Sequence, residues 1–225
     1  MLTLHHLEYS QSFRILWLLE ELGADYLLER YDRDPKSRLA PDDLKQLSPL
    51  GTAPVVTDDA GLVLAESNAA IDYILDSYPD SPLRPGAGDP SRADYLFWFH
   101  AGNGSLMPMQ FMNGILTMME ARSPALMRPM IKAVTSKVRD ALVRPRLKRI
   151  FDLMEEDLGR HMWLAGDTMT AADITLVYSI FSAEDRGHID ANRPNIGRWI
   201  AQVRKTPSFQ RATEKDGRET IVFSF

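Results

Sequence analysis

Leu47 to Val56 reads "LSPLGTAPVV", an apolar run of strand character with Pro54 set directly in front of it. Proline fixes its own φ and donates no backbone hydrogen bond, so a strand interior rejects it. Pro54 either marks the point where a strand begins or shapes a loop that offers neighbouring backbone groups to something else. The surrounding elements bear on that choice. Val55–Thr57 and Leu62–Leu64 flank "DDAG", which reads as a hairpin turn.

Upstream, Leu2, Leu4 and His6 alternate with Thr3 and His5 as in a short strand. From Ser12 to Gly23, Ile15, Leu16, Leu18, Leu19 and Leu22 recur at helical spacing, and Gly23 supplies a stop. "DYLLERYD" (25–32) predicts a second strand, and a strand, helix and strand in this order imply a right-handed crossover with parallel strands. "PDDLKQLS" (41–48) allows at most two helical turns. Ser67 opens a helix carrying Ile71, Ile74, Leu75 and Tyr78, which Pro79 stops. The order is βαβ, a hairpin and a helix.

"PDSPLRPGAGDPS" (79–91), with four prolines and two glycines, reads as a linker. Beyond it, 92–120 and 124–160 are long helical patterns that Pro108, Pro129 and Pro145 kink or interrupt. Thr170 and Asp173 form a capping box with Met169 and Ile174 as its staple. "RPNIGRWIAQVRKTPSF" (193–209) gives a helix ending near Pro207, and "TIVFSF" (220–225) carries the first strand signal after the linker. The expected fold class is α+β: a small α/β unit over 1–80, a linker over 81–91 and an all-helical unit over 92–225.

Composition narrows the function. The chain has 225 residues, 44% hydrophobic and 25% charged, the profile of an ordinary globular protein. Net charge is −5 and the 26 basic residues are scattered, so nucleic acid is not an expected partner. No apolar run approaches the ~20 residues of a membrane span. The N-terminus "MLTLHHLEYS" lacks the pattern of a secretory signal, and a cytoplasmic location is expected. The absence of cysteine excludes disulfides, thiolate metal sites and a protein thiol nucleophile. His5, His6, His100, His161 and His188 show no chelating spacing and read as structural or surface residues; no metal is expected.

Three features of the first unit combine: "EYSQSFR" (8–14) between strand one and helix one, Pro54 before strand three, and Glu66–Ser67 at the start of "ESNAAIDYIL". On these residues the chain resembles a glutathione S-transferase over nearly its full length. "SPLGTAPVV" is similar to the family's proline loop, "ESNAAIDYIL" to its glutamate–serine helix start, and "LAGDTMTAADI" to its C-terminal capping segment. "SQSFRILWLLEEL" looks most like bacterial and fungal serine-type members. The resemblance implies an N-terminal thioredoxin-like domain, an all-α C-terminal domain, glutathione as co-substrate, and a homodimer with a detoxifying role.

By the same resemblance, Pro54 follows a cis bond and Ala53 offers its N–H and C=O to the cysteinyl part of glutathione, as a sheet edge offers them to another strand. Ser67, at a helix N-terminus, would hold the γ-glutamyl carboxylate, and Glu66 the ammonium of the same residue. A plain N-cap is the structural alternative for Ser67. Ser10 would stabilise the thiolate. A free thiol ionises near ~8.5, and lowering that by about two units takes about 2.7 kcal/mol. A hydroxyl bonded to a charged group supplies roughly 1.5–3 kcal/mol, and the helix N-terminus roughly 0.3–1. Tyr9 and Ser12 compete for this role, with Ser12 also suited to cap helix one.

Many relatives carry a lysine where Thr52 stands, and Gln46, Lys45 or Arg38 are candidates to replace it. The lack of cysteine sets aside the family's cysteine-type branches. The electrophile site is expected between the domains, with Phe97, Phe99, His100, Asn103, Met107 and Met112 as candidate lining. Seven of the eleven methionines fall between Met107 and Met130, which suits an adaptable apolar pocket or ordinary bundle core. The leading expectation is conjugation of glutathione to small hydrophobic electrophiles. The alternatives are a non-catalytic binding module on the same fold, and a dedicated glutathione-dependent isomerase, dehalogenase or peroxidase.

Overall fold

The computed structural model describes residues 1–222. Four strands, β1 (Leu2–Leu7), β2 (Tyr26–Tyr31), β3 (Val55–Asp58) and β4 (Val63–Ala65), form one sheet in the order β2-β1-β3-β4. β1 runs parallel to β2 and antiparallel to β3, which pairs antiparallel with β4. β1 is central, and the two-residue period of a strand sends its side chains to opposite faces. Leu4 and Val56 join the main core under α1 (Ser12–Leu22) and α3 (Ser67–Asp76). Leu7 and Val55 instead pack with Ala40 and Leu44 under the short α2 (Asp42–Gln46). His6 shares the Leu4 face and is thereby aimed at α1. α1 ends at Gly23, whose φ of 60° is the left-handed conformation that glycine adopts without penalty.

Seven helices follow: α4 (Arg92–Ala101), α5 (Met107–Arg122), α6 (Arg128–Val138), α7 (Arg144–Arg160), α8 (Ala171–Asp185), α9 (Pro194–Lys205) and α10 (Pro207–Asp216). The long helical patterns are interrupted, as expected, near the three prolines. Pro129 lies at the start of α6, while Pro108 and Pro145 each follow a π-helical turn, Gly102–Leu106 and Arg139–Val143. A proline cannot donate to the carbonyl four residues back and clashes with it. The wider turn absorbs the mismatch: Met107 N–H bonds Gly102 O and Arg144 N–H bonds Arg139 O, five residues apart.

α8 is buried on nearly every side and touches α1, α3 and α4, so it joins the two units into one core. The capping box is present, with Thr170 as N-cap and Asp173 accepting from its backbone. α9 ends at Lys205, near Pro207 as expected, and α10 is a further helix that the sequence reading did not contain. It straps onto α1: Phe209 meets Phe13 and Trp17 edge-on at 5.3 Å, and Trp17 Nε1 donates to Ser208 Oγ at 3.0 Å. Thr220–Val222 is not strand, and the rest of "TIVFSF" lies outside the described residues.

Candidate active site

β1 ends at Leu7, and the chain turns through Tyr9 before α1 begins. Tyr9 has a φ of 50°, unusual for a residue with a side chain. Its carbonyl is held from both units, by Arg33 Nη2 at 3.1 Å and by Tyr178 OH of α8 at 3.0 Å. This clamp sets Ser10, 7% exposed, against the first turn of α1. Ser10 Oγ donates to Leu7 O at 2.8 Å, lies 2.7 Å from Ser12 Oγ and accepts from Ser12 N–H at 3.2 Å.

Ser12 does not cap α1. It is the first helical residue, and its fully buried hydroxyl turns back to His6 Nδ1 at 2.8 Å. A strand-borne partner within reach outcompetes the helix's own N–H groups. Ser67 is likewise the first residue of α3 rather than its N-cap; Glu66 occupies that position, with a φ of 82° and its side chain exposed.

The Ala53–Pro54 bond is cis. Ladder pairing in β3 begins at Val55, opposite His5 and Ala65, so Ala53 lies outside it. Thr52 is exposed, and the Lys45 stem lies against Gly51, where an added Cβ would meet Lys45 Cγ at 3.6 Å.

Ser67 Oγ is a crossing point. It accepts from Arg14 Nη1 and Asn103 Nδ2, both at 3.3 Å, and donates to Gln11 Oε1 at 3.3 Å. Arg14 is the residue that the sequence reading missed. It is 0% exposed, and donates to Asn103 Oδ1 at 2.7 Å and to Ser179 Oγ of α8 at 3.3 Å. Its Nε has no partner, and it makes no ion pair among the described residues. Burial pushes the guanidinium down to about 9, which leaves it charged at neutral pH. The signal was present in "FRILWLL": a helical period places Arg14 on one face with Trp17 and Leu18, in the middle of the core.

The electrophile candidates separate. Met107 stands opposite Ser10's turn, its sulfur 2.7 Å from Gln11 Nε2, and His100 is exposed with its ring edge-on to Phe99. Phe99 itself is buried against Tyr95. Asn103 sits with Arg14, Ser67 and Asn68, on the α3 side. Phe97 is exposed and Met112 is partly buried against the core. Met118, Met119, Met127 and Met130 are exposed rather than packed in a pocket or a core, because α5 and α6 turn that face outward.

The fold, a βαβ-ββα sheet domain continued by a helical domain, is that of the glutathione transferases. The family models agree: the glutathione S-transferase N-terminal domain matches residues 10–77 and the C-terminal domain residues 114–207. The chain is 31% identical to glutathione S-transferase 3 of Schizosaccharomyces pombe, across 99% of this chain and 90% of the relative. It is 29% identical to glutathione S-transferase 1 of Saccharomyces cerevisiae, across 96% and 95%. A crystal structure of a glutathione S-transferase from Actinobacillus pleuropneumoniae superposes with a TM-score of 0.76 at 31% identity, covering 96% of this chain and 93% of that one. The chain belongs to the glutathione S-transferase family, and it is an enzyme of that family.

Proposed function

We propose that the enzyme binds glutathione between the Pro54 loop and the start of α3, ionises its thiol with the Ser10 hydroxyl, and transfers the sulfur to small hydrophobic electrophiles. The observation that carries this reading is the uncompensated Arg14. A buried cation without an anion is expensive, and its Nη1 ends on the Ser67 hydroxyl at the N-terminus of α3. The γ-glutamyl carboxylate supplies the missing charge: it replaces Gln11 as the acceptor of the Ser67 proton and takes the free N–H groups of the helix start. Glu66 receives the ammonium of the same residue. Ala53 pairs with the cysteinyl backbone, and Lys45, stacked on Gly51, stands in for the lysine absent at Thr52.

With the ligand so placed, Ser10 donates to the sulfur. Met107 and His100 face the electrophile, and Asn103 serves the carboxylate side. A cytoplasmic, detoxifying homodimer fits this reading. The exposed apolar residues Phe111, Leu126, Met130 and Val134 on and beside α5 and α6 form a surface suited to a second copy; a monomeric mass in light scattering would count against that.

Ser10→Ala tests the chemistry. Glutathione should still bind, while ionisation of its bound thiol, followed by thiolate absorbance, rises by about one to two pH units toward ~8.5. Turnover at neutral pH should fall roughly ten- to a hundredfold and recover in part at higher pH. Unchanged thiol ionisation in the variant removes Ser10 from the mechanism.

A further inference from the structure

Behind Ser10 runs an unbroken line of buried hydrogen bonds that ends in the last turn of α10. Ser10 Oγ is 2.7 Å from Ser12 Oγ, Ser12 Oγ is 2.8 Å from His6 Nδ1, and His6 Nε2 is 2.5 Å from Asp216 Oδ1. All four residues are buried, and Asp216 Oδ2 has no hydrogen-bond partner among the described residues. We infer that His6 and Asp216 are positioning residues of the reaction: they orient the two hydroxyls so that Ser10 points its proton outward, at the sulfur of glutathione. The inference rests on the Ser10 reading above.

Counting donors and acceptors gives the direction. A hydroxyl has one proton and two lone pairs, and an imidazolium donates from both nitrogens. In the inferred arrangement His6 donates from both nitrogens, with Nε2–H directed to Asp216 Oδ1. Nδ1–H then donates to Ser12 Oγ, which also accepts from Leu7 N–H at 3.1 Å. Both lone pairs of Ser12 are filled, so its proton goes to Ser10 Oγ at 2.7 Å in preference to Leu7 O at 3.2 Å. Ser10 Oγ, accepting from Ser12 Oγ and from Ser12 N–H, can only donate. Without ligand that proton rests on Leu7 O, and a sulfur anion displaces the carbonyl. A neutral His6, its Nε2–H still on Asp216, would reverse the line. Its bare Nδ1 would take the Ser12 proton, and the Ser10 proton would turn inward to Ser12. Every proton stays on its own heavy atom throughout.

Other charged groups surround the pair. Arg30 of β2 donates to the carbonyls of Lys215 at 3.1 Å and Asp216 at 3.4 Å. Lys215 is held by Glu20 at 2.5 Å, and Arg218 by Glu8 at 3.1 Å and by Asp32. None of these carboxylates is bonded to His6; Asp216 is the carboxylate that faces its ring.

The test compares thiolate absorbance against pH for glutathione bound to wild type, Asp216→Asn, Ser12→Ala, Ser10→Ala and the double variant Ser10→Ala with Asp216→Asn. The Asp216→Asn change keeps the shape but not the charge, so thiol ionisation should rise by about one pH unit. Turnover at neutral pH should drop roughly three- to tenfold, with KM for glutathione within about twofold of wild type. Ser12→Ala, which cuts the line beside Ser10, should do the same and serves if Asp216→Asn fails to fold. The double variant should match Ser10→Ala alone, since the line acts only through Ser10. Wild-type thiol ionisation in a folded Asp216→Asn or Ser12→Ala, beside a shifted Ser10→Ala, overturns the relay and leaves Ser10 standing. A further shift in the double variant also overturns it. An unshifted Ser10→Ala overturns the underlying reading instead.

Discussion

Arg14 and Asp173 are both 0% exposed and both charged side chains of helices in the shared core, yet their surroundings are opposite. Asp173 accepts from Thr170 N–H at 2.9 Å, Leu164 N–H at 3.1 Å and Trp199 Nε1–H at 2.8 Å, with Thr170 Oγ1 at 3.3 Å. Burial pushes its carboxyl up, and these bonds pull against that. Every group around it belongs to the chain, and the site is closed. Among the described residues Arg14 reaches only neutral oxygens, keeps an unpartnered Nε and ends at Ser67 beside the start of α3. A buried charge that the fold satisfies holds the structure; on the proposed reading, the one that the fold leaves short awaits a ligand.

The comparison breaks most visibly at Asp173. Asp173→Ala leaves several buried donors without an acceptor and should cost about 3–5 kcal/mol, if the variant folds at all. Denaturant unfolding measures this, and a loss below about 1 kcal/mol would dissolve the contrast.

Arg14→Met should behave in the opposite sense. The cost of burying an unpaired cation disappears with it, so stability without ligand should be unchanged or higher despite three lost hydrogen bonds. Glutathione affinity should fall by about 1.5–3 kcal/mol, the worth of a charge-assisted contact. Calorimetry and thermal unfolding on one preparation separate the two effects. A destabilised variant with normal affinity would make Arg14 a structural residue like Asp173.

Ser67→Ala sharpens the same point, weakening glutathione by about 1.5 kcal/mol or somewhat more in titration calorimetry, with little effect on unfolding. Glu66→Gln should weaken it as well. Unchanged affinity in both would remove the carboxylate from this helix start.

Glu20 gives the smallest effect. Burial would raise its carboxyl, but hydrogen bonds from Lys215, Tyr26 and Arg211 outweigh that and hold it below the usual range. A carboxyl lowered in the folded state adds stability that is present above its unfolded value of about 4.3 and is lost as pH falls through the folded value. Glu20→Gln should therefore lower Tm modestly near neutral pH, and the gap should close as the medium becomes strongly acidic. Lys215 and Arg211 are half exposed, so added salt should narrow it too.

Local chemistry was legible where it repeats at short range. The period of 3.6 in "RILWLLEEL", the alternation of β1, the "DDAG" hairpin and the Thr170–Asp173 box each place their partners within a few residues, and the structure contains all four. The positions of Ser10, Pro54 and Ser67 followed from turns that their neighbours dictate. The two serines read as possible helix caps were different. Ser12 and Ser67 have local N–H groups to cap, but His6 and Arg14, brought close by strand and helix packing, compete for their hydroxyls and win.

By itself the sequence determined the elements of the first unit, their order and the positions of the Pro54 loop and the starts of α1 and α3, because these depend on contacts a few residues apart; α10 was not among what it determined. Tertiary structure alone decided what stands behind those ends. Asp216 lies 210 residues from His6, and Ser179 lies 165 from Arg14. No periodicity links such pairs, because their distance is set by how α8 and α10 pack against α1, and that packing depends on the shape of the whole core rather than on any stretch of it.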